Sequence, residues 1–122
     1  MTSSHDDPFT DFLAAIDSGD ATALDRAYEP DAVLVPRPGH PVAGQERVAA
    51  NAHFASMAES MRARVRHAYT AGDIALLIVD WSMRGTAPDG TPLELSGTAT
   101  DVVRRGADGH WRYVIDNPSG TE

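Results

Sequence analysis

Between Phe9 and Val48 the chain reads FTDFLAAIDSGDATALDRAYEPDAVLVPRPGHPVAGQERV. Two short helical patterns meet at Ser18-Gly19-Asp20, a strand follows at Asp31–Pro36, and a helix opens after Gly44. Long apolar strands separated by tight turns make up the rest. Helices first and strands after is the signature of an α+β domain. The expected architecture is a cone-shaped, strongly curved, mixed or antiparallel sheet. Three helices from the N-terminal half lie across its concave side and enclose a pocket, in the order ααβαββββ.

Each element has a local cause. Asp7-Pro8 reads as an N-cap with proline at the first helical position, and Gly19 as the glycine that ends the helix. Asp20 caps a second helix with Ala23, Leu24, Ala27 and Tyr28 on one face, and Glu29-Pro30 stops it. The run Pro36-Arg37-Pro38-Gly39-His40-Pro41 is expected to be a loop, because proline cannot donate to a ladder. Gln45–Ala58 forms the third helix, with Val48, Ala52, Ala55 and Phe54 inward. In Met61–Tyr69 the alternation is strict: Met61, Ala63, Val65, His67 and Tyr69 on one side, Arg62, Arg64 and Arg66 on the other. Ile74–Thr86 is apolar on both faces and so is expected to be central. Pro92–Arg105 and His110–Asp116 complete a meander punctuated by Asp-Gly turn chemistry. Residues 1–6 and 118–122 are expected to be tails of a single domain spanning 1–122.

The meander creates a problem for a monomer. By simple alternation one face carries Leu77, Val79, Trp81, Met83, Ala99 and Val103, and the other Leu76, Ile78, Val102, Trp111, Tyr113 and Ile115. Helices cover only one of these. A bare face containing Trp111, Tyr113 and Ile115 would be a large exposed apolar patch. The expectation is a two-fold homodimer packed through it.

Charge narrows the partners. The chain has 10 Lys+Arg against 18 Asp+Glu, a net charge of -8. Such a surface repels phosphate backbones and anionic lipid, which argues against nucleic-acid and membrane binding. There is no cysteine, so disulfides and thiolate metal sites are excluded. The N-terminus lacks a basic and an apolar signal region, and the longest apolar run is too short to span a bilayer. A cytoplasmic location is expected. No metal-ligand spacing, nucleotide fingerprint or nucleophile elbow occurs, and no cofactor is expected.

What chemistry remains lies in a few polar residues at inward positions. Asp101 shares parity with Ala99 and Val103, and Asp116 with Val114. On adjacent antiparallel strands such residues sit ~5 Å apart at Cβ. Two carboxylates in one apolar hollow cannot both ionise cheaply, so one is expected to hold a proton. A neutral acid then donates while its partner accepts, a pairing suited to enolisation, isomerisation or aldol cyclisation. His67, inward by alternation, is the third catalytic candidate. Against this stand ordinary structural readings: Asp116 in an Asp-Asn-Pro turn, Asp101 paired locally, His67 bonded to backbone. Asn51 is placed to orient a carbonyl. The expected pocket is lined by Phe12, Tyr28, Val35, Pro36, Val48, Asn51, Tyr69, Val79, Trp81, Met83, Ala99, Val103 and Val114.

The stretches FLAAIDSGDATALDRAYEPDAVLV, VAGQERV and SGTATDVVRRGADGHWRYVIDNPSG together resemble the nuclear transport factor 2-like superfamily, also described as SnoaL-like or ketosteroid-isomerase-like. The last is also similar to the association domain of calcium/calmodulin-dependent kinases. The resemblance implies a cone-shaped pocket and usually a dimer. Superfamily functions range from isomerases, cyclases, epoxide hydrolases and dehydratases to plain binding modules. Laid on this chain, the isomerase tyrosine falls on Phe12, the proton-abstracting aspartate on Pro36 and the second aspartate on Asp101. One of three groups is kept, which speaks against steroid isomerisation by the usual set. The water-positioning Asp–Arg–Asp set of an epoxide hydrolase cannot be assembled, since the arginines have the wrong parity. Two readings follow. One is a domain binding a small apolar or carbonyl-containing ligand, with cofactor-free isomerase or cyclase chemistry. The alternative is a non-catalytic ligand-binding or homo-oligomerisation module.

Overall fold

The computed structural model describes Ala14, Ser18 and residues 21–122. The first expected helix, with Phe12, lies outside the described residues apart from those two positions. The remaining elements are α1 (Ala21–Asp25), β1 (Tyr28–Arg37), β2 (His40–Ala43), α2 (Gly44–Met57), β3 (Ala58–Ala71), β4 (Ile74–Thr86), β5 (Pro92–Arg105) and β6 (Trp111–Asp116). The fold is α+β, with a six-stranded mixed sheet in the order β2-β1-β6-β5-β4-β3. Only β1 and β6 run parallel; the other neighbours are antiparallel.

Two expectations about the N-terminal half are corrected. Helix α1 ends at Asp25, and Tyr28 already belongs to β1. Pro30 forces Glu29 toward extended geometry, and the Ala27 carbonyl accepts the Tyr113 N–H at 2.9 Å. The proline-rich run is not an open loop. Arg37 pairs with His40 across Pro38-Gly39, making β1 and β2 a tight hairpin. Gly39 supplies the positive φ of 79° that the turn needs. Pro36 is tolerated because the register shifts between Leu34 and Arg37, and Pro41 lies on the edge strand.

Helix α2 turns a different side inward from the one its apolar residues suggest. Its buried residues are Arg47 and Asn51, one turn apart, whereas Val48, Ala52 and Ala55 are half-buried. Glycine is required just after β4 curls past the end of this helix: any Cβ on Gly85 would collide with the Met57 carbonyl.

Two bulges decide which side chains share a face. In β3 the register shifts between Val65, opposite Val79, and His67, opposite Ile78, so Arg66 is the extra residue. Met61, Ala63 and Val65 pack against the core, but beyond the bulge His67 and Tyr69 point to the opposite, exposed face. In β6, Tyr113 opposes Val103 and Ile115 opposes Val102, which makes Val114 the extra residue. Trp111 and Tyr113 therefore face the helix side and are 3% and 2% exposed. The expected bare face of Trp111, Tyr113 and Ile115 is thus corrected: of the three, only Ile115 lies there.

The core gathers Leu24, Ala27, Tyr28, Ala32, Leu77, Val79, Val103, Trp111 and Tyr113 on the helix side of the sheet. On the other face Arg64 and Arg66 converge on Asp80. The C-terminal stretch expected as a tail is packed instead. The Asn117 carbonyl accepts the Thr100 N–H at 3.0 Å, and the Pro118 carbonyl accepts the Trp81 indole N–H at 2.9 Å. Among the described residues no helix is long and apolar enough to cross a membrane.

Candidate functional site

The helix side of the sheet bounds a cavity of about 340 Å³ among the described residues. Its walls are apolar: Leu34 and Pro36 from β1, Phe54 from α2, Met61 from β3, Val79 and Trp81 from β4, Leu95 and Ala99 from β5, Tyr113 from β6. Pro118 and Ser119 close one side, and Glu122 stands in the lining. At its depth are three polar residues, Asn51, Asp101 and Asp116.

These three are placed by backbone geometry. Asp101 opposes Leu77 on β4 and shares its inward face with Ala99 and Val103. The Val114 bulge brings Asp116 inward beside it, next to Leu34 of β1. Asp101 is 2% exposed and Asp116 7%. Tyr28, at the start of β1, donates a short hydrogen bond from its hydroxyl to Asp116 Oδ2. The same hydroxyl lies 3.5 Å from Asn51 Oδ1. Main-chain Asn117 N–H donates to Asp101 Oδ1 at 2.9 Å.

Burial and hydrogen bonding act unequally on the two carboxyls. Burial pushes the Asp101 carboxyl well above the ordinary carboxylate range, and the negative charge of Asp116 pushes it further. Burial also raises Asp116, but hydrogen bonds from Tyr28 and Asp101 oppose that rise. Asp101 is therefore the carboxyl more strongly favoured to keep a proton, and Asp116 the one its neighbours hold closer to the anion. The phenols of Tyr28 and Tyr113 are pushed up by burial first and by the neighbouring carboxylates after it, so both stay neutral donors. Behind Tyr28 lies Arg47, 3% exposed, its guanidinium 4.7 Å from the ring centroid and 2.9 Å from Asp25. Among the described residues, Arg47 Nε and Nη1 and Asn51 Nδ2 are buried without hydrogen-bond partners.

Of the residues expected at the site, Asp101, Asp116, Asn51, Pro36, Val79, Trp81 and Ala99 line the cavity. Tyr28 sits beneath it as a polar group, not as apolar wall. Met83 and Val103 are buried in the core without reaching the hollow. Val48 is half-buried on the neighbouring side of α2, Val35 alternates away from Leu34, and Val114 is the bulge residue; none lines the cavity. His67 and Tyr69 are exposed on the far face, their rings stacked at 6.0 Å, so His67 is not brought to the carboxylates. Sequence reasoning missed Leu34, Tyr113 and the Tyr28 hydroxyl. Alternation along Ala32-Val33-Leu34 would have found the first; the other two depend on a bulge and on where a helix stops. Among the described residues no group of three or more His, Cys, Asp or Glu is arranged to hold a metal ion.

Comparison with known proteins places the family and the fold. A SnoaL-like domain model matches residues 9–114. No curated protein matches. Among solved structures, a conserved protein from Planctomyces limnophilus is similar with a TM-score of 0.77 and 22% identity, over 89% of this chain and 87% of that one. A candidate calcium/calmodulin-dependent protein kinase II association domain from Xanthomonas campestris has a TM-score of 0.72 and 19% identity, over 93% and 82%. A candidate dehydratase of the NTF2-like family from Streptomyces avermitilis has a TM-score of 0.74 and 20% identity, over 93% and 91%. At these identities the likeness carries the fold alone. With its family model covering most of the sequence, the chain belongs to the SnoaL-like domain family.

Proposed function

We propose that the domain binds a small apolar, carbonyl-containing molecule and moves a proton on it by cofactor-free acid/base chemistry, as an isomerase, cyclase or dehydratase does. The observation that carries this reading is the buried carboxyl pair Asp101–Asp116 lining an apolar cavity. Asp116, the anion, is the base; Asp101, the neutral acid, supplies or restrains a proton. One solved neighbour is described as a candidate dehydratase of the NTF2-like family, a name within the range proposed. In this proposal the curved sheet walls a cone-shaped pocket, in a cytoplasmic protein.

The test is exchange of α-protons of neutral cyclic ketones in deuterium oxide, followed by proton NMR, with 1-tetralone as the first probe. The wild-type protein should accelerate exchange, and Asp116→Asn should lower that rate by roughly 10²–10⁴-fold. If no ketone that binds exchanges faster with wild type than with Asp116→Asn, the catalytic reading is wrong.

A second reading, a homo-oligomerisation module, is favoured by the sheet face opposite the helices. Leu76 and Ile115 are each 39% exposed there, beside half-buried Val102 and Ile78. We propose a homodimer through this face, with Ile115 kept from the original expectation and Trp111 and Tyr113 replaced by Leu76 and Val102. Sedimentation should give a dimer that Leu76→Glu with Ile115→Glu converts to a monomer. A monomeric wild type would remove the proposal.

A further inference from the structure

Among the described residues, the cavity lining holds one buried side-chain donor without a partner. Asn51 is 6% exposed and lines the hollow beside Asp101 and Asp116. Its Oδ1 faces the Tyr28 hydroxyl at 3.5 Å. Nδ2 is thus on the side of the amide away from the phenol, and among the described residues it is buried without a partner. A buried donor with no acceptor destabilises the fold, and a well-packed α2 could hold an apolar residue at this position instead.

We propose that Asn51 is the ligand-anchoring residue of this cavity, and that it selects an uncharged ketone by donating Nδ2–H to the carbonyl oxygen. This rests on reading the cavity as the ligand site. The neighbouring groups fix the rest of the ligand's chemistry. Asp116 is an acceptor already aimed into the hollow, so it takes a proton, not a lone pair. Asp101 spends its proton on Asp116. No Lys, Arg or His lines the cavity among the described residues, and Glu122 adds a second negative charge to the lining. An anionic ligand is repelled, and a hydrocarbon leaves Nδ2 unsatisfied. The fitting molecule places an acceptor oxygen at Asn51 and an enolisable carbon at Asp116. On abstraction, the C–H electron pair becomes the new C=C bond, the proton goes to Asp116, and the carbonyl π pair moves to the oxygen held by Asn51. Return of that proton to carbon completes the cycle without any redox partner.

The experiment is equilibrium binding of 1-tetralone, 1-tetralol and tetralin, read by fluorescence of Trp81, which lines the cavity. Wild type should bind the ketone roughly tenfold more tightly than tetralin, from one satisfied donor, and more tightly than the alcohol. Asn51→Leu should erase the ketone preference. Asn51→Met, which has no donor and an unbranched side chain, should erase the preference too, and guards against a folding defect specific to leucine. Equal binding of ketone and tetralin by wild type overturns the proposal. So does an alcohol preference, which would mean that the amide oxygen faces the hollow, and so does a ketone preference that survives Asn51→Leu. The outcome is separable from the acid/base reading: Asp116→Asn should lose proton exchange while retaining the ketone preference. A ketone preference without exchange would sink the catalysis and leave the anchor standing.

Discussion

Removing the Tyr28 hydroxyl tests the electrostatics of the site without disturbing its packing. Phenylalanine fills the same volume, keeps the tilted contact with Tyr113 at 5.1 Å between centroids, and keeps the ring under Arg47. What it deletes is one hydrogen bond to a buried carboxylate. A hydrogen bond to a charged group contributes about 1.5–3 kcal/mol net. At neutral pH, Tyr28→Phe should therefore lose about that much stability, or roughly 5–15 °C in melting temperature for a domain of this size. The pH dependence is the sharper test. The Tyr28 hydrogen bond opposes the upward shift of Asp116, so the variant's folded-state value is higher than wild type's. Stability that depends on Asp116 being ionised in the fold is present at high pH and fades as Asp116 takes up a proton. The deficit should be largest at pH 7–8. It should shrink at acid pH toward the 0.5–1.5 kcal/mol, approximately, of a neutral hydrogen bond. Urea unfolding of both proteins across that range measures it. A variant as stable as wild type at pH 7, or a deficit that grows with acid, would refute the assignment of the anion to Asp116.

Three further outcomes are expected. Asp101→Asn keeps a donor toward Asp116 and an acceptor for Asn117 N–H, but cannot ionise. Since the folded-state value of Asp101 is raised, wild-type stability should fall as pH climbs from about 3.9 through that raised value, and the variant's denaturation midpoint should be flatter and no lower at pH 8. Gly85→Ala should cost about 1–3 kcal/mol by forcing β4 away from the Met57 carbonyl, measurable as a lower midpoint in urea. His67→Ala, on the exposed face, should leave ketone exchange unchanged by NMR; a large loss would place His67 in the chemistry after all.

Much of the sheet is legible in the sequence, because its signals are local. Gly72-Asp73, Pro88-Asp89-Gly90 and Asp108-Gly109 fix the turns of β3 to β6, and the all-apolar run Ile74–Val79 fixes a strand flanked on both sides. Asp101 is inward as alternation requires, since no bulge intervenes between it and Val103. Asp116 is inward for a different reason. Alternation puts it opposite to Tyr113, but the Val114 bulge turns both to the same side and buries Trp111 with them. The Arg66 bulge does the reverse to His67 and Tyr69. A bulge adds one residue without a turn motif or a break in apolar content, so period-2 reasoning fails beyond it. Helix α2 hides its buried side differently: Arg47 and Asn51 are polar, and hydrophobic periodicity selects their neighbour Val48 instead. Tyr28 fits a helical face with Leu24, yet proline two residues on sends it into a strand and makes it the partner of Asp116.

The account turns on how two aspartates divide one proton. Carboxyl carbon-13 NMR of aspartate-labelled protein, with Asp101→Asn and Asp116→Asn used for assignment, measures this directly as pH is varied. At neutral pH Asp101 should give the signal of a protonated acid and Asp116 that of a carboxylate, with Asp101 losing its proton only well above the usual aspartate range. Two carboxyls that both titrate near the ordinary value of about 3.9 would contradict the shared proton and the acid/base chemistry built on it.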